Sequence, residues 1–150
     1  MTRIFDAPRS RVFEAWTRAE HLEKWFGPAG FAITDCECDP RPGGVFRMCL
    51  RSPRGDAFWV RGSYREVVPP ERILITCTAD DAAGVPRLEE VIEVRFEEDG
   101  SRTRLLLNTT ARGPGAEAAR MLRGMQTGWA QTVDRLGSLL APGFRREKEM

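Results

Sequence analysis

The sequence places one carboxylate, Glu90, where its acid–base chemistry could be altered. It alternates with Leu88, Ile92, Val94 and Phe96, and alternate residues of a β-strand share one face. An inward carboxyl group in apolar surroundings has its ionised form disfavoured, which raises its pKa and suits it to proton transfer or to holding a ligand hydroxyl. The other interpretation is that this end of the strand emerges into water, where Glu90 would be an ordinary solvated side chain.

The only tyrosine, Tyr64, could donate a hydrogen bond into the same space. Glu90 and Tyr64 are therefore the one pair that the sequence nominates for acid–base catalysis. The sequence leaves open whether any reaction is catalysed, and it favours a protein that is not an enzyme.

The sequence lacks the residues and motifs that metal binding and nucleotide binding require. His21 is the only histidine, and Cys36-x-Cys38 supplies two thiolates without a second close pair, whereas structural zinc normally needs four protein ligands. The sequence contains no Gly-x-Ser-x-Gly elbow, no phosphate-binding glycine loop and no dinucleotide fingerprint. We therefore expect no metal and no cofactor. The cysteines lie in strand-like runs, which favours reduced, packed thiols.

Length and charge predict one domain without a polyanionic partner. The 150 residues fit a single domain, residues 1–150, because single cores commonly reach roughly 100–150 residues. The net charge is +1, so no global field attracts nucleic acid or an anionic membrane. No stretch approaches the ~18 consecutive apolar residues of a membrane span, and the first residues lack a signal-peptide core. We expect a soluble, cytoplasmic protein.

The elements that must position Glu90 and Tyr64 follow from the turn signals in the chain. Residues 3–6 predict a short strand, and Pro8 suits the start of a helix. Thr17 and Glu20 have the spacing of a capping box between two short helices. Six runs of strand length follow between residues 31 and 110. The turns that separate them cover residues 39–44, 52–56, 69–72, 82–86 and 98–101.

The turn at residues 52–56 predicts the register of the two strands beside it. Phe46 is expected opposite Gly62, and Leu50 opposite Phe58, on the inner face of the sheet. A slip of one residue would exchange the inner and outer faces.

The last long segment, residues 116–140, carries an apolar stripe that is too broad for a coiled-coil seam. At about 100° per residue the stripe covers about a third of the helical wheel, which calls for a sheet beneath it. Residues 144–150 are charged and are expected to fray. The stripe consists of Ala118, Met121, Leu122, Met125, Trp129, Thr132, Val133, Leu136, Leu139 and Leu140.

Gly124 and Gly128 lie within this helix, and each costs ~1 kcal/mol relative to alanine. We interpret both as positions of close backbone approach to a strand or a short helix. The alternative is that they leave room for a ligand.

The middle of the stripe and the inner sheet face predict a pocket for flat or elongated apolar molecules. Methionine thioethers adapt to irregular apolar partners, although core packing is the alternative for each residue taken singly. The predicted ligand-binding residues are Trp25, Phe46, Met48, Phe58, Val60, Tyr64, Glu90, Ile92, Met121, Met125 and Trp129.

Arginines are expected to collect on the outer sheet face around Trp59. Acidic residues can interleave with them, so we interpret this face as solvated. A protein partner or a homodimer contact at Trp59 is the alternative. The arginines are Arg47, Arg51, Arg61, Arg65 and Arg95.

Several blocks of the sequence resemble one family and occur in the order expected for it. They are similar to bacterial homologues of the heat-shock-protein-ninety ATPase activator, in the START-like or SRPBCC superfamily. The resemblance covers nearly the whole chain. The blocks are Arg3-Ile-Phe-Asp-Ala-Pro8, Lys24-Trp-Phe-Gly-Pro28, Gly62-Ser-Tyr-Arg-Glu-Val-Val-Pro-Pro-Glu-Arg72 and Met121-Leu-Arg-Gly-Met-Gln-Thr-Gly-Trp129.

The resemblance implies an α+β helix-grip fold, like that of the birch pollen allergen. A curved antiparallel sheet of about seven strands would wrap around the long C-terminal helix, with two short helices after the first strand and a ligand cavity between sheet and helix. Phe26 stands where relatives often have a second tryptophan, which would alter the mouth of the cavity.

The superfamily includes lipid and steroid carriers, hormone and alkaloid binders and polyketide cyclases, so fold alone does not fix function. We expect binding of a small, mostly apolar organic molecule that is lipid-, polyketide- or aromatic-like. The alternatives are a chaperone-interacting stress-response module and a cyclase- or hydrolase-like enzyme that uses a cavity carboxylate.

Overall fold

A computed structural model describes residues 1–141, and the predicted frayed tail at 144–150 lies outside these residues. Seven strands and three helices make up this part of the chain. In chain order they are β1 (Thr2–Phe5), α1 (Arg9–Thr17), α2 (Ala19–Trp25), β2 (Ala32–Cys38), β3 (Val45–Arg51), β4 (Ala57–Val68), β5 (Arg72–Asp80), β6 (Pro86–Asp99), β7 (Arg102–Arg112) and α3 (Gly115–Leu140).

The strands form one antiparallel sheet in the order β1-β7-β6-β5-β4-β3-β2. Strands β2 to β7 pair with their sequence neighbours because short turns connect them, whereas β1 pairs with β7. The sheet is curved and α3 lies on its inner side, so the predicted helix-grip fold is confirmed.

The register predicted for β3 and β4 is also confirmed. Phe46 lies opposite Gly62, and Leu50 lies opposite Phe58. The alternation predicted for β6 holds as well, since Leu88, Ile92, Val94 and Phe96 are all buried.

The predicted capping box between α1 and α2 is wrong. Arg18 occupies the N-cap position of α2, and no side chain caps that helix. Thr17 is buried in the last turn of α1, where its hydroxyl donates to the Phe13 carbonyl at 3.0 Å. A buried threonine can satisfy its hydroxyl on the carbonyl four residues earlier, which removes it as a cap for the next helix.

Ion pairs between arginines and acidic residues cover the outer sheet face, as predicted for a solvated surface. Arg47 lies 3.1 Å from Glu37, and Arg72 lies 2.7 Å from Glu93. Arg95 also approaches Glu93, at 3.5 Å. Within residues 1–141, no helix combines the length and apolar character of a membrane span.

Helix α3 contacts the body of the domain through two separate hydrophobic clusters. Near its N-terminus, Ala118 packs with Ala79 and Leu88 in a small cluster. Towards its C-terminus, Val133 and Leu136 belong to the main core beneath α1 and α2. The stretch of α3 between these two contacts therefore spans the inner face of the sheet.

Candidate ligand-binding site

A cavity of about 480 Å³ lies beneath the middle of α3. Small-molecule sites in proteins commonly enclose roughly 300–1,000 Å³, so the cavity is large enough for a small organic molecule. Residues from the loop after α2, from strands β3 to β6 and from α3 line it. Met121 and Met125 form part of the helical side and are only partly buried, which indicates that this side is open to solvent.

Aromatic rings form much of the wall. Phe31 and Phe58 face each other with ring centroids 6.2 Å apart. Phe26 and Trp129 meet edge to face at 5.7 Å. Such rings offer large flat apolar surfaces, which favour flat or elongated guests.

Trp129 lies at the boundary between the cavity and the main core. Its ring stacks on Trp16 with centroids 6.4 Å apart and planes inclined by 14°. Trp16 is buried and in turn meets Trp25 edge to face at 4.8 Å. Because Trp129 packs against fixed rings on one side, it presents a well-defined surface to the cavity.

The loop that carries Phe26 and Phe31 is tied to α3 mainly by Arg135. The Nη1 atom of Arg135 lies 3.0 to 3.4 Å from the carbonyl oxygens of residues 26, 27, 28 and 31. The Gln131 amide oxygen also accepts a hydrogen bond from the Ala29 N–H at 3.1 Å. These contacts hold the aromatic loop beside the helix and so position one wall of the cavity.

Glu90 is the polar group that stands among these apolar walls. Its cross-strand neighbour is Cys77, whose thiol donates a hydrogen bond to the carboxylate at 3.5 Å. Burial raises the pKa of Glu90 above its ordinary value, and the Cys77 hydrogen bond opposes this only in part. Burial likewise raises the pKa of the Cys77 thiol, which keeps Cys77 a protonated donor.

The remaining charged groups on the cavity already have ionic partners. Asp80 is buried, and its Oδ2 lies 3.4 Å from the Nε of Arg61. At the mouth, Arg120 lies 3.5 Å from Glu117.

Six of the predicted ligand-binding residues line this cavity, and five do not. The first group is Phe58, Val60, Glu90, Met121, Met125 and Trp129. The second group is at most 1% exposed and packs in the main core: Trp25, Phe46, Met48, Tyr64 and Ile92.

Tyr64 is therefore not brought together with Glu90 at the cavity. Its hydroxyl donates to the Trp16 carbonyl at 3.1 Å, and its ring packs against Phe46 at 5.6 Å. Burial raises the pKa of the Tyr64 phenol, so it stays protonated. Its hydrogen bond links β4 to the end of α1.

The interpretation of Gly124 as a close backbone approach is wrong. A Cβ atom built on Gly124 would meet no atom within 4 Å, and one on Gly128 would make only an ordinary 3.5 Å contact with Pro28. Both residues line the cavity. The physical reason is that the cavity, rather than the backbone of a strand, lies beside these two glycines.

Several cavity residues lie outside the predicted set, and the signals for them differ. Trp59, expected on the outer face, lies among the arginines there but also lines the cavity. Leu50 and Leu88 share the inward alternation of residues that were selected, so the same pattern could have identified them. Phe26 and Phe31 flank a glycine-rich turn whose residues show neither helical nor strand periodicity. For Phe26, only the family resemblance indicated a place at the mouth of the cavity. The position of both residues depends on Arg135, whose tertiary role has no local signal.

Comparison with protein families gives one match that spans most of the chain. The family model described as activator of Hsp90 ATPase homolog 1-like protein matches residues 6–141. The chain belongs to this family. The family lies within the SRPBCC superfamily, which confirms the resemblance seen in the sequence blocks. A comparison with curated proteins gives no match.

Solved structures of bacterial proteins share the fold. A Chromobacterium violaceum protein is 28% identical with a TM-score of 0.81, and the alignment covers 95% of each chain. A Nitrosomonas europaea protein is 28% identical with a TM-score of 0.74, covering 100% of this chain and 95% of the other. An AHSA1 protein of Silicibacter pomeroyi is 22% identical with a TM-score of 0.74, covering 93% and 94%. This last likeness shows the fold alone.

Proposed function

We propose that this domain binds a small, mostly apolar organic molecule in the cavity beneath the middle of α3. One observation carries the proposal. Helix α3 contacts the sheet near both of its ends and leaves about 480 Å³ beneath its middle. A solvent-accessible, mostly apolar concavity of this size is typical of a small-molecule site.

The composition of the wall favours an apolar guest with one polar group. Phe31, Phe58 and Trp129 supply flat surfaces, and Met121 and Met125 supply flexible ones. Glu90 adds one hydrogen-bonding group among them, and a few placed polar groups are what orient ligands in apolar pockets. Glu90 is also the candidate acid or base if the bound molecule is transformed.

The proposal is tested with N-phenylnaphthylamine, a neutral apolar dye whose emission rises in apolar surroundings. The Met125→Trp variant should bind the dye at least about tenfold more weakly, because the indole fills the cavity. Its free energy of unfolding should stay within about 1 kcal/mol of the wild-type value, since the position is only partly buried. Unchanged dye affinity in this variant would contradict the proposed site.

Val91→Trp is the matched control because it introduces the same side chain on the opposite face of β6. Val91 is exposed and is the neighbour of Glu90. This variant should bind the dye as the wild type does. Equal loss in both variants would place the dye elsewhere.

The family description favours a second candidate function, a contact surface for a chaperone. Its best location is the outer sheet face, where the guanidinium groups of Arg47 and Arg61 lie 5.5 Å and 4.7 Å from the Trp59 ring centroid. The proposal for the cavity does not depend on this surface. The two are separable because a ligand in the cavity contacts Trp129, whereas a protein partner on the outer face contacts Arg47 and Arg61, which do not line the cavity.

A further inference from the structure

The charges around the cavity are unevenly distributed. Three acidic residues line it, namely Asp80, Glu90 and Glu117, against one basic residue, Arg120. Arg120 is already paired with Glu117 at the mouth, and Asp80 is paired with Arg61 from outside the cavity. The cavity therefore has no unpaired positive group among its lining residues, and its acidic residues outnumber its single, paired arginine.

Glu90 is the acidic group without a basic partner among the described residues. Its only hydrogen-bond partner there is the Cys77 thiol, a weak donor at 3.5 Å. A carboxylate in apolar surroundings is costly to ionise unless a cation accompanies it. Within residues 1–141 the protein supplies none to Glu90, so a ligand could supply it.

A second carboxylate on the same cavity is incompletely satisfied. The Asp80 side chain is 3% exposed, and its Oδ1 atom has no hydrogen-bond partner among the described residues. Arg61 approaches only the other oxygen, Oδ2, at 3.4 Å. Asp80 follows a shift in the register between β5 and β6, on the same stretch of sheet as Glu90. The two carboxylates therefore make this part of the cavity electrostatically favourable for a positively charged ligand.

The aromatic walls suit the same kind of ligand. The rings of Phe26, Phe31, Phe58 and Trp129 line the apolar space, and aromatic rings attract cations. An ammonium group near such rings gains cation–π attraction. This attraction offsets part of the hydration that the group loses when it leaves water. The rings also pack against the apolar body that carries it.

We propose that the ligands of this cavity are lipophilic organic cations, each a protonated amine on a flat or elongated apolar body, with the ammonium group held by Glu90. This inference rests on the proposed function and names the ligand class for the same site. Amines should therefore bind more tightly than neutral alcohols, which would offer Glu90 only a hydrogen bond. They should also bind more tightly than carboxylates, which the acidic lining would repel.

The test compares three probes that share a naphthalene body: naphthylmethylamine, naphthylmethanol and naphthoate. Calorimetric titration of the full chain at neutral pH should show the amine binding at least about tenfold more tightly than the alcohol, with naphthoate weakest. An alcohol or a naphthoate that binds as tightly as the amine would overturn the proposal while leaving a functional cavity. If neither these probes nor the neutral dye bind, the proposed function fails and this inference fails with it.

The Glu90→Gln variant tests whether Glu90 is the group that gives the cavity its preference for the amine. The variant should lose the preference for the amine, at least about tenfold in affinity, and should bind the alcohol within about twofold of the wild type. Glu89→Gln is the matched control, because Glu89 is exposed on the opposite face of the same strand. Retention of the amine preference by the Glu90 variant would overturn the role of Glu90. The probe series on the wild-type chain stands independently of either variant.

Discussion

The middle and the C-terminal part of α3 carry the same apolar stripe but differ in how deeply its residues are buried. Residues 132–140 include Thr132, Val133, Leu136 and Leu140, which are all buried. Residues 121–129 include Met121, Met125 and Trp129, which are only partly buried and line the cavity. The width of a helical stripe predicts which side faces the sheet. It does not predict how closely the helix approaches the sheet.

The neighbours of each part explain the difference. The C-terminal part packs against β1, where Phe5 lies close to Gly137, and is tied through Arg135 to the loop after α2. The middle part is packed only partly: Met121 and Met125 touch the Ala118 cluster, and Trp129 stacks on Trp16. The remaining sides of these residues face the cavity.

Truncation at the two parts should give the largest difference in stability. Leu136→Ala removes a fully buried side chain and should lower the free energy of unfolding by about 2–5 kcal/mol. Met125→Ala should cost only about 1 kcal/mol, because its side chain is partly exposed beside existing empty space. Urea denaturation of both variants measures this, and equal losses would show that the middle of α3 is packed as tightly as its end.

Enlarging side chains should also destabilise the C-terminal part of α3 more than the middle. A Cβ atom on Gly137 would lie 3.4 Å from the Phe5 ring, whereas one on Gly124 would meet nothing within 4 Å. Gly137→Leu should therefore destabilise the protein by about 1–2 kcal/mol through overpacking. Gly124→Leu should stabilise it by up to about 1 kcal/mol through better helix propensity. Thermal unfolding of the pair checks the order, and a reversal would contradict the difference between the two parts.

The smallest effect is expected from Glu90 and depends on pH. Burial raises the pKa of Glu90 above its ordinary value of 4.5, so the folded chain keeps this proton to a higher pH than the unfolded chain. The contribution to stability is complete below about pH 4.5 and is lost as pH rises through the folded pKa. The stability advantage of Glu90→Gln over wild type should grow across that window. An advantage that stays constant or shrinks with rising pH would mean that Glu90 is solvated.

Much of the sheet could be predicted because its determinants are local. The turn at residues 52–56 and the alternation around Phe46 and Leu50 fixed the β3–β4 pairing correctly. The inward position of Glu90 followed from the same alternation. Sequence alternation reads strand faces well because a strand has only two faces.

The boundary of the cavity could not be predicted in the same way. Met48 and Phe58 both face inward, yet Met48 lies in the main core and Phe58 lines the cavity. The difference depends on where α1 and α2 cover the sheet. Tyr64 was placed at the cavity for the same reason, whereas its hydroxyl bonds to the end of α1. Tertiary packing of the two short helices decides which inward residues remain accessible.

The most direct test of the account follows the indole N–H resonances of the four tryptophans by NMR during titration with naphthylmethylamine. Trp129 and Trp59 both line the cavity, and Trp129 stacks on the buried Trp16. Trp25 donates to the Ala15 carbonyl in the core and does not line the cavity. Single tryptophan-to-phenylalanine variants assign the signals. We expect the largest shift at Trp129, a smaller one at Trp16 through the stacked rings and the smallest at Trp25. Shifts that leave Trp129 unmoved would contradict the proposed site.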